Sequence, residues 1–421
     1  MKTFYTMAIM AMLTTLSLHA QTPGNSFVIN HVTLFDGEQV YSDRSVVVRN
    51  GMIDSVTTEE PVEGDLPIID GHGATLMPGL INAHAHTREP AQLTQSLLFG
   101  VTTVLDLATF TSVDKLREAA NTHDDVADFL SANTLATPPG GHGTEYGFDI
   151  RTVKGPDDAE AFVAEQKSQG ANFLKIVLNG VRAERNGTPT LDSATVKALV
   201  LAGHARSMIV VAHIESPEDA VTAVEAGVDG LAHIWRNSAD EPEVARLIAS
   251  HDVFVIPTLS VQDGFVDAAG GTLLVEDDRL RPYLSETLRE FLTTRKGGPK
   301  FENIDQPIEA VGGLYRAGVK LLAGPDQPNG RTAHGVSMHR ELELLVMAGL
   351  KPIEALAAGT ANVADAYRLS DRGRIEKGLR ADLMLVKGDP TVDITATRDI
   401  VRIWKAGVEF DRQPFAVNEG H

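Results

Sequence analysis

Not one of the 421 residues is a cysteine. Disulfide staples, thiolate metal sites and a lipid-modified cysteine are therefore excluded, and any metal must rest on imidazole, carboxylate or a modified lysine. Positive charge is in deficit: 37 Lys and Arg face 57 Asp and Glu, a formal charge of −20. So acidic a surface repels phosphate backbones and attracts cations, which argues against a nucleic-acid partner. Long apolar runs are missing beyond the N-terminus, so no membrane-spanning segment is expected. A glycine-rich phosphate fingerprint set between a strand and a helix is missing too.

What is present begins with Lys2, an apolar run from Met7 to Leu18, and Leu18-His-Ala20 ahead of Gln21. This layout is that of a secretory signal peptide, the alternative being a buried first strand or helix. Residues 1–20 are accordingly set apart, and the mature chain is expected to be periplasmic or secreted. The remainder, within a chain 43% apolar and 22% charged, has the composition of a soluble globular protein.

Residues 21–77 read as short strands with turn signals, including Asn50-Gly51, and β character returns over 371–421. The two ends are expected to pair into one small flanking β-sandwich. Between them, over 78–370, apolar strands alternate with amphipathic segments. Eight strands are expected at Gly79–Ala83, Thr102–Leu107, Phe129–Thr134, Phe173–Leu178, Ile209–Ala212, Gly230–His233, Phe254–Leu259 and Lys320–Ala323. Helical segments lie between them, among them Asp157–Gln169, Asp192–Arg206, Pro217–Ala226 and Pro242–Ser250. Near-continuous apolar strands alternating with helices imply a parallel sheet covered on both sides. Eight units fit an α/β TIM barrel, (β/α)₈, better than an open doubly wound sheet. Residues 263–310, with a helix expected over Asp278–Arg295, form a long insertion that is either a lid or a surface loop.

Histidines mark the strand ends. His84 and His86 lie two apart at the end of the first strand, on one face, in reach of one cation. His213 and His233 close successive strands one βα unit apart. Asp326 follows the eighth strand, which in a closed barrel neighbours the first; a carboxylate there would hold a metal and carry protons, or would merely cap a helix. Lys175 sits inside the apolar strand Phe173-Leu-Lys-Ile-Val-Leu, a costly place for an ammonium.

These residues, in this order and on these strands, resemble the amidohydrolase superfamily in its imidazolonepropionase-like and prolidase-like branch. The likeness extends to Gly378-Leu-Arg-Ala-Asp382-Leu in the flanking domain. The resemblance implies two divalent metal ions, zinc by expectation: one held by His84, His86 and Asp326, the other by His213 and His233. A Lys175 carboxylated to N6-carboxylysine would bridge them with a hydroxide. Asp326 would pass the proton of the attacking water to the leaving nitrogen.

The loop Pro138-Pro-Gly-Gly-His142-Gly-Thr-Glu-Tyr146 resembles the substrate-contacting segment of prolidase-like members. His142 would stabilise the oxyanion, or is a plain turn histidine. Tyr146, Arg182, Trp235 and Arg236 are the other expected substrate contacts, the arginines for a carboxylate; each is otherwise an ordinary loop residue. His334 and His339 sit where they would reach the mouth, without an assigned role.

Hydrolysis of amide bonds in dipeptides or N-acyl amino acids, extending to ochratoxin-type aromatic amides, is the leading expectation. A ring-opening hydrolase of cyclic amides, lactones or phosphotriesters is the second, and an exported metal-binding protein without catalysis the third. The partner is a small molecule in the first two; the chain is a monomer or a homo-oligomer.

Overall fold

The computed structural model describes residues 25–59, 66–109, 113–236, 238, 241–266, 270–294 and 302–415. The expected export segment 1–20 lies outside these residues, as do 267–269 and 295–301 of the expected lid.

Five strands open the chain: β1 (Phe27–Phe35), β2 (Val40–Arg49), β3 (Met52–Thr57), β4 (Ile68–Asp70) and β5 (Ala74–Pro78). Eight short strands follow among helices: β6 (Leu80–Ala85), β7 (Val101–Asp106), β8 (Asp128–Ser131), β9 (Leu135–Ala136), β10 (Leu174–Val177), β11 (Val210–His213), β12 (Gly230–Ala232) and β13 (Phe254–Ile256). The last three are β14 (Leu383–Lys387), β15 (Ile400–Lys405) and β16 (Val408–Glu409).

Both chain ends meet in one mixed eight-stranded sheet, ordered β16-β15-β14-β5-β1-β2-β3 with β4 beside β1. Its β2–β3 turn is Asn50-Gly51, with φ of 51° and 78°. Two successive left-handed residues match the twist of a hairpin, which is why Asn-Gly serves there. Phe27 stacks on Trp404 at 5.2 Å, tying the first strand to one of the last.

The central strands pair in parallel as β6-β7-β8 and β13-β12-β11-β10-β9, with helices between them, and the architecture is TIM-barrel-like α/β. Lys320–Ala323 makes only isolated bridges, yet these reach both neighbours. The Val255 amide donates to Lys320 O at 2.9 Å, and the Ala83 amide donates to Ala323 O at 3.0 Å. One buried cluster takes side chains from all eight expected strands, including Ile81, Leu105, Ala132, Phe173, Val211 and Leu322, with Tyr367 of a late helix packed against Phe173.

Two expected elements differ. The third strand is split into β8 and β9 because Asn133 turns left-handed, φ 62°. Its side chain is held there by Arg117 at 2.6 Å, so backbone pairing lapses between the halves. The helix expected over Asp278–Arg295 is a 3₁₀ turn, Arg281–Tyr283, and a separate helix, Glu286–Thr293. Pro282 has no N–H to continue the first turn, and Ser285 accepts from the Leu288 amide as the cap of a new start.

Candidate active site

The strand ends β6, β10, β11 and β12 open into one cavity of about 840 Å³ that His84, His86, Lys175, His213, His233 and Asp326 all line. How each side chain reaches it is local. On β6, Ile81 and Ala83 face the inner cluster. A register shift against β7 between Asn82 and Ala85 then changes the parity, so His84 and His86 face inward instead. Lys175 and His213 keep the parity of Phe173 and of Ile209 and Val211, all inward. His233 and Asp326 stand just beyond strand ends at φ 78° and 57°. Such a conformation is strained for non-glycine residues, and strained residues concentrate where a side chain must be aimed.

Asp326 Oδ1 lies 3.0 Å from His86 Nε2 and 3.4 Å from His84 Nε2, and Oδ2 lies 4.0 Å from His233 Nδ1. These first three residues offer ligand atoms within 4.8 Å of one another. The imidazoles form a chain: His84 to His233 is 4.9 Å between ring centres, and His233 to His213 is 4.4 Å. His86 Nδ1 is 2.7 Å from Ala108 O, to which it donates; its Nε2 lone pair is thereby turned toward Asp326, the arrangement that orients a metal-binding imidazole.

Protonation follows burial. His84 is held well below its ordinary value, first by desolvation and then by Lys175, His86 and His213. His213 is pushed down to about 3, mainly by burial. Burial also depresses His86, but Asp326 outweighs it and the pKa is raised. Lys175, 2% exposed, falls to about 7 through desolvation that Asp326 only partly offsets. Both ring nitrogens of His84, Nε2 of His213 and Nζ of Lys175 are buried without a hydrogen-bond partner. Buried polar atoms rarely go unsatisfied. Two buried imidazoles with unpartnered nitrogens and an unpartnered lysine amine, beside Asp326, are a donor set for a cation, and the residues fit the expected metal group.

Outside this centre lies a charged rim. His142 Nδ1 is 2.6 Å from Glu145 Oε1 and 2.8 Å from an Arg182 terminal nitrogen. Arg182 Nε donates to Glu215 Oε1 at 2.6 Å, and the Arg182 amide donates to Glu215 Oε2 at 3.1 Å. Burial would raise the Glu215 carboxyl, but His213 and Arg182 hold it at about 2. His142 is lowered by burial and by Arg182. Tyr146 lines the cavity with its ring 5.7 Å from His142, and Arg236 lines it too.

Trp235, His334 and His339 lie elsewhere than expected. Trp235 does not face the cavity: it is 1% exposed and packs in the main core, because the cavity-facing neighbours Ile234 and Arg236 leave it the opposite side. Arg182 does line the cavity, with its guanidinium also paired to Glu215 and placed against His142. His339 does not reach the mouth: its Nδ1 is 3.0 Å from Thr397 Oγ1 and its Nε2 3.1 Å from Phe99 O, in the core. His334 lines a different cavity. Glu145 and Glu215 were missed, though both lay in plain patterns, three residues after His142 and two after His213. Arg88 and Arg185 also line the cavity.

The model of the amidohydrolase family matches residues 75–411. A Xaa-Pro dipeptidase with bound methionine superposes with a TM-score of 0.74 at 24% identity, covering 91% of this chain and 99% of that one. The putative prolidase from Bifidobacterium longum gives 0.72 at 26% identity, over 92% and 95%. In sequence, the ochratoxinase of Aspergillus niger is 26% identical over 265 residues, 61% of this chain. The chain spans half the length of that relative.

Proposed function

Because this chain belongs to the amidohydrolase family, we propose that it is a binuclear metal-dependent hydrolase of amide bonds in dipeptides or N-acyl amino acids. The carrying observation is the meeting of four imidazoles, Lys175 and Asp326 in one cavity. In this reading His84, His86 and Asp326 would hold one ion and His213 and His233 the other, and Lys175 would contribute as its carbamate. Carbamate formation needs a neutral amine that adds to carbon dioxide and loses a proton, and burial keeps the Lys175 amine near neutrality at about 7. Zinc suits the histidine-rich donors.

When bound, the ions would supply Lewis acidity that brings water toward ionisation near neutral pH and polarises the scissile carbonyl. The chain supplies the rest. Asp326, steadied by the Asn329 amide at 2.9 Å, accepts the proton of the attacking water and delivers it to the leaving nitrogen, which would otherwise depart as a strongly basic anion. His142, held between Glu145 and Arg182, faces the carbonyl oxygen as charge builds on it. Arg88, Arg185 and Arg236 line the same cavity as the acids Glu215 and Asp326. Of those acids Glu215 is paired with Arg182, so the outer cavity is net cationic and suits a substrate carboxylate. The ochratoxinase likeness extends the candidates to N-aroyl amino acids.

The bridges from Lys320–Ala323 to Val255 and Ala83 support closure of the parallel strands into a (β/α)₈ barrel. We assign residues 21–77 and 371–421 to a composite flanking β domain, 78–370 to the barrel and 1–20 to an export signal, which N-terminal sequencing of the secreted protein would check. The function is tested by assaying the zinc-loaded protein on Xaa-Pro dipeptides, other dipeptides and N-acyl amino acids, alongside lactones, cyclic amides and phosphotriesters. Turnover of a linear amide, abolished by chelation and restored by zinc, is expected. Turnover confined to the cyclic esters and phosphotriesters overturns the substrate assignment.

A further inference from the structure

A second cavity of about 490 Å³ shares no lining residue with the first. It is walled by the helix Pro90–Leu98, by residues between Tyr283 and Phe291, by the loop after Asp326, and by Phe410 and Phe415. Four aromatic rings (Tyr283, Phe291, Phe410 and Phe415) dominate the wall. Among its polar side chains, two carry buried nitrogens without a partner. His334 is 2% exposed, and neither of its ring nitrogens has a partner; Gln95 Nε2 is buried and equally unpartnered. Beside them, the Arg412 guanidinium lies 3.4 Å from the centre of the Tyr283 ring and leaves one terminal nitrogen buried without a partner.

A dry cavity that needs no ligand is lined by apolar groups alone, since each buried unsatisfied donor costs free energy. Here a side-chain amide N–H and a buried imidazole stand without partners among aromatic walls, in a volume within the range of small-molecule sites. A ligand that relieves this has an apolar body and an acceptor head. We propose that this cavity is a binding site, separate from the metal centre, for a small aryl- or alkyl-carboxylate or the corresponding carboxamide. The head meets Gln95 and His334, and the body lies among the four rings.

The test uses the full metal-loaded chain with 3-phenylpropionate and 3-phenylpropanamide, followed by calorimetry and ligand-observed NMR. At least one of the two is expected to saturate a single site. Tighter binding of the acid assigns the head to a carboxylate accepting from Gln95 and a protonated His334, and tighter binding of the amide to the same pair with His334 neutral. Leu288→Trp, which fills the cavity, should weaken binding at least tenfold without changing turnover or melting temperature; Thr287→Trp at the rim serves the same end should the first variant fail to fold. Gln95→Leu should weaken it about fivefold, the worth of one hydrogen bond. His142→Ala in the first cavity should leave it unchanged. Failure of both probes to saturate at millimolar concentration overturns the proposal. So does binding lost with His142→Ala but kept in the filled variants, or binding that appears only after residues 416–421 are deleted. Because the readout is binding, these outcomes are independent of whether the amide-hydrolase reading stands.

Discussion

Replacing Lys175 with methionine exchanges a buried amine for an apolar chain of similar length, and in the metal-free protein the sign of its effect on stability can be worked out. Burial holds the folded-state pKa at about 7, against an ordinary 10.5. Between those values the unfolded chain binds more protons than the folded one, so stability rises with pH across that window. At pH 7.5 nearly every unfolded Lys175 is protonated while most folded molecules are not. The mismatch costs the fold about 4 kcal/mol at 1.36 kcal/mol per unit. At pH 9.5 the same arithmetic leaves about 1.4 kcal/mol. Methionine removes this cost. The metal-free, carbon-dioxide-free Lys175→Met variant should therefore melt about 5 °C above the unmodified protein at pH 7.5, taking the unfolding entropy of a chain this long. The gap should shrink by more than half at pH 9.5. Calorimetry of both proteins at the two pH values reads this directly, and metal analysis with turnover completes it: the variant should hold about one ion instead of two and lose activity at least a thousandfold. A variant less stable than the parent, or a gap that does not change with pH, would refute the claim that Lys175 is kept neutral by desolvation.

Asp326→Asn should retain a metal but lose kcat by about 10³, the scale of a general acid–base group, as measured in the zinc-loaded form at saturating substrate. His142→Ala should lower kcat by about a hundredfold with a smaller change in KM, and Glu215→Gln should reproduce part of that loss by freeing Arg182 from its 2.6 Å pairing. Asp128 is a structural case. Burial would raise its carboxyl, but Arg380, Lys405 and Arg372 pull it down to about 2. Its folded-state pKa is depressed, so the stability it contributes is present above pH 4 and fades as pH falls toward 2. Asp128→Asn should destabilise by about 3 kcal/mol at pH 7, since it leaves three largely buried cations facing a neutral amide, and urea denaturation would measure it.

The residues that were legible in sequence are those whose role follows from strand periodicity and position. Lys175 and His213 face the cavity because they hold the parity of their strands, and a lysine amid Phe173, Leu174 and Ile176 stands out in any reading. His84 and His86 were paired correctly by the two-residue spacing. The irregularity between Asn82 and Ala85 that turns them inward has no sequence mark, since a bulge is decided by pairing with a neighbour distant in the chain. The third strand was misjudged for the same reason. Apolar spacing runs through Phe129–Thr134, but the break at Asn133 depends on Arg117, on another element.

The pairing of Arg182 and the placement of Trp235 were hidden for a common reason. Arg182 and Trp235 lie just past strand ends, where side-chain direction is no longer set by a period of two. Arg182 does face the cavity, and sequence alone shows it only as a lone cation on the active face. Its actual partner, Glu215, sits 33 positions later and is identifiable only once β10 and β11 are known to be adjacent. Trp235 falls between two cavity-lining neighbours, and so large an apolar side chain gains more from the core than from a wet rim. The same distinction separates the two cavities. The first cavity announces itself through histidines at repeated strand termini, whereas the second cavity is assembled from a helix, a surface insertion, a loop and the chain's last strands. Its polar groups, Gln95 and His334, are ordinary in sequence and become informative only through burial without partners. Signals tied to one strand survive in the sequence; signals made by the meeting of four elements exist only in the fold.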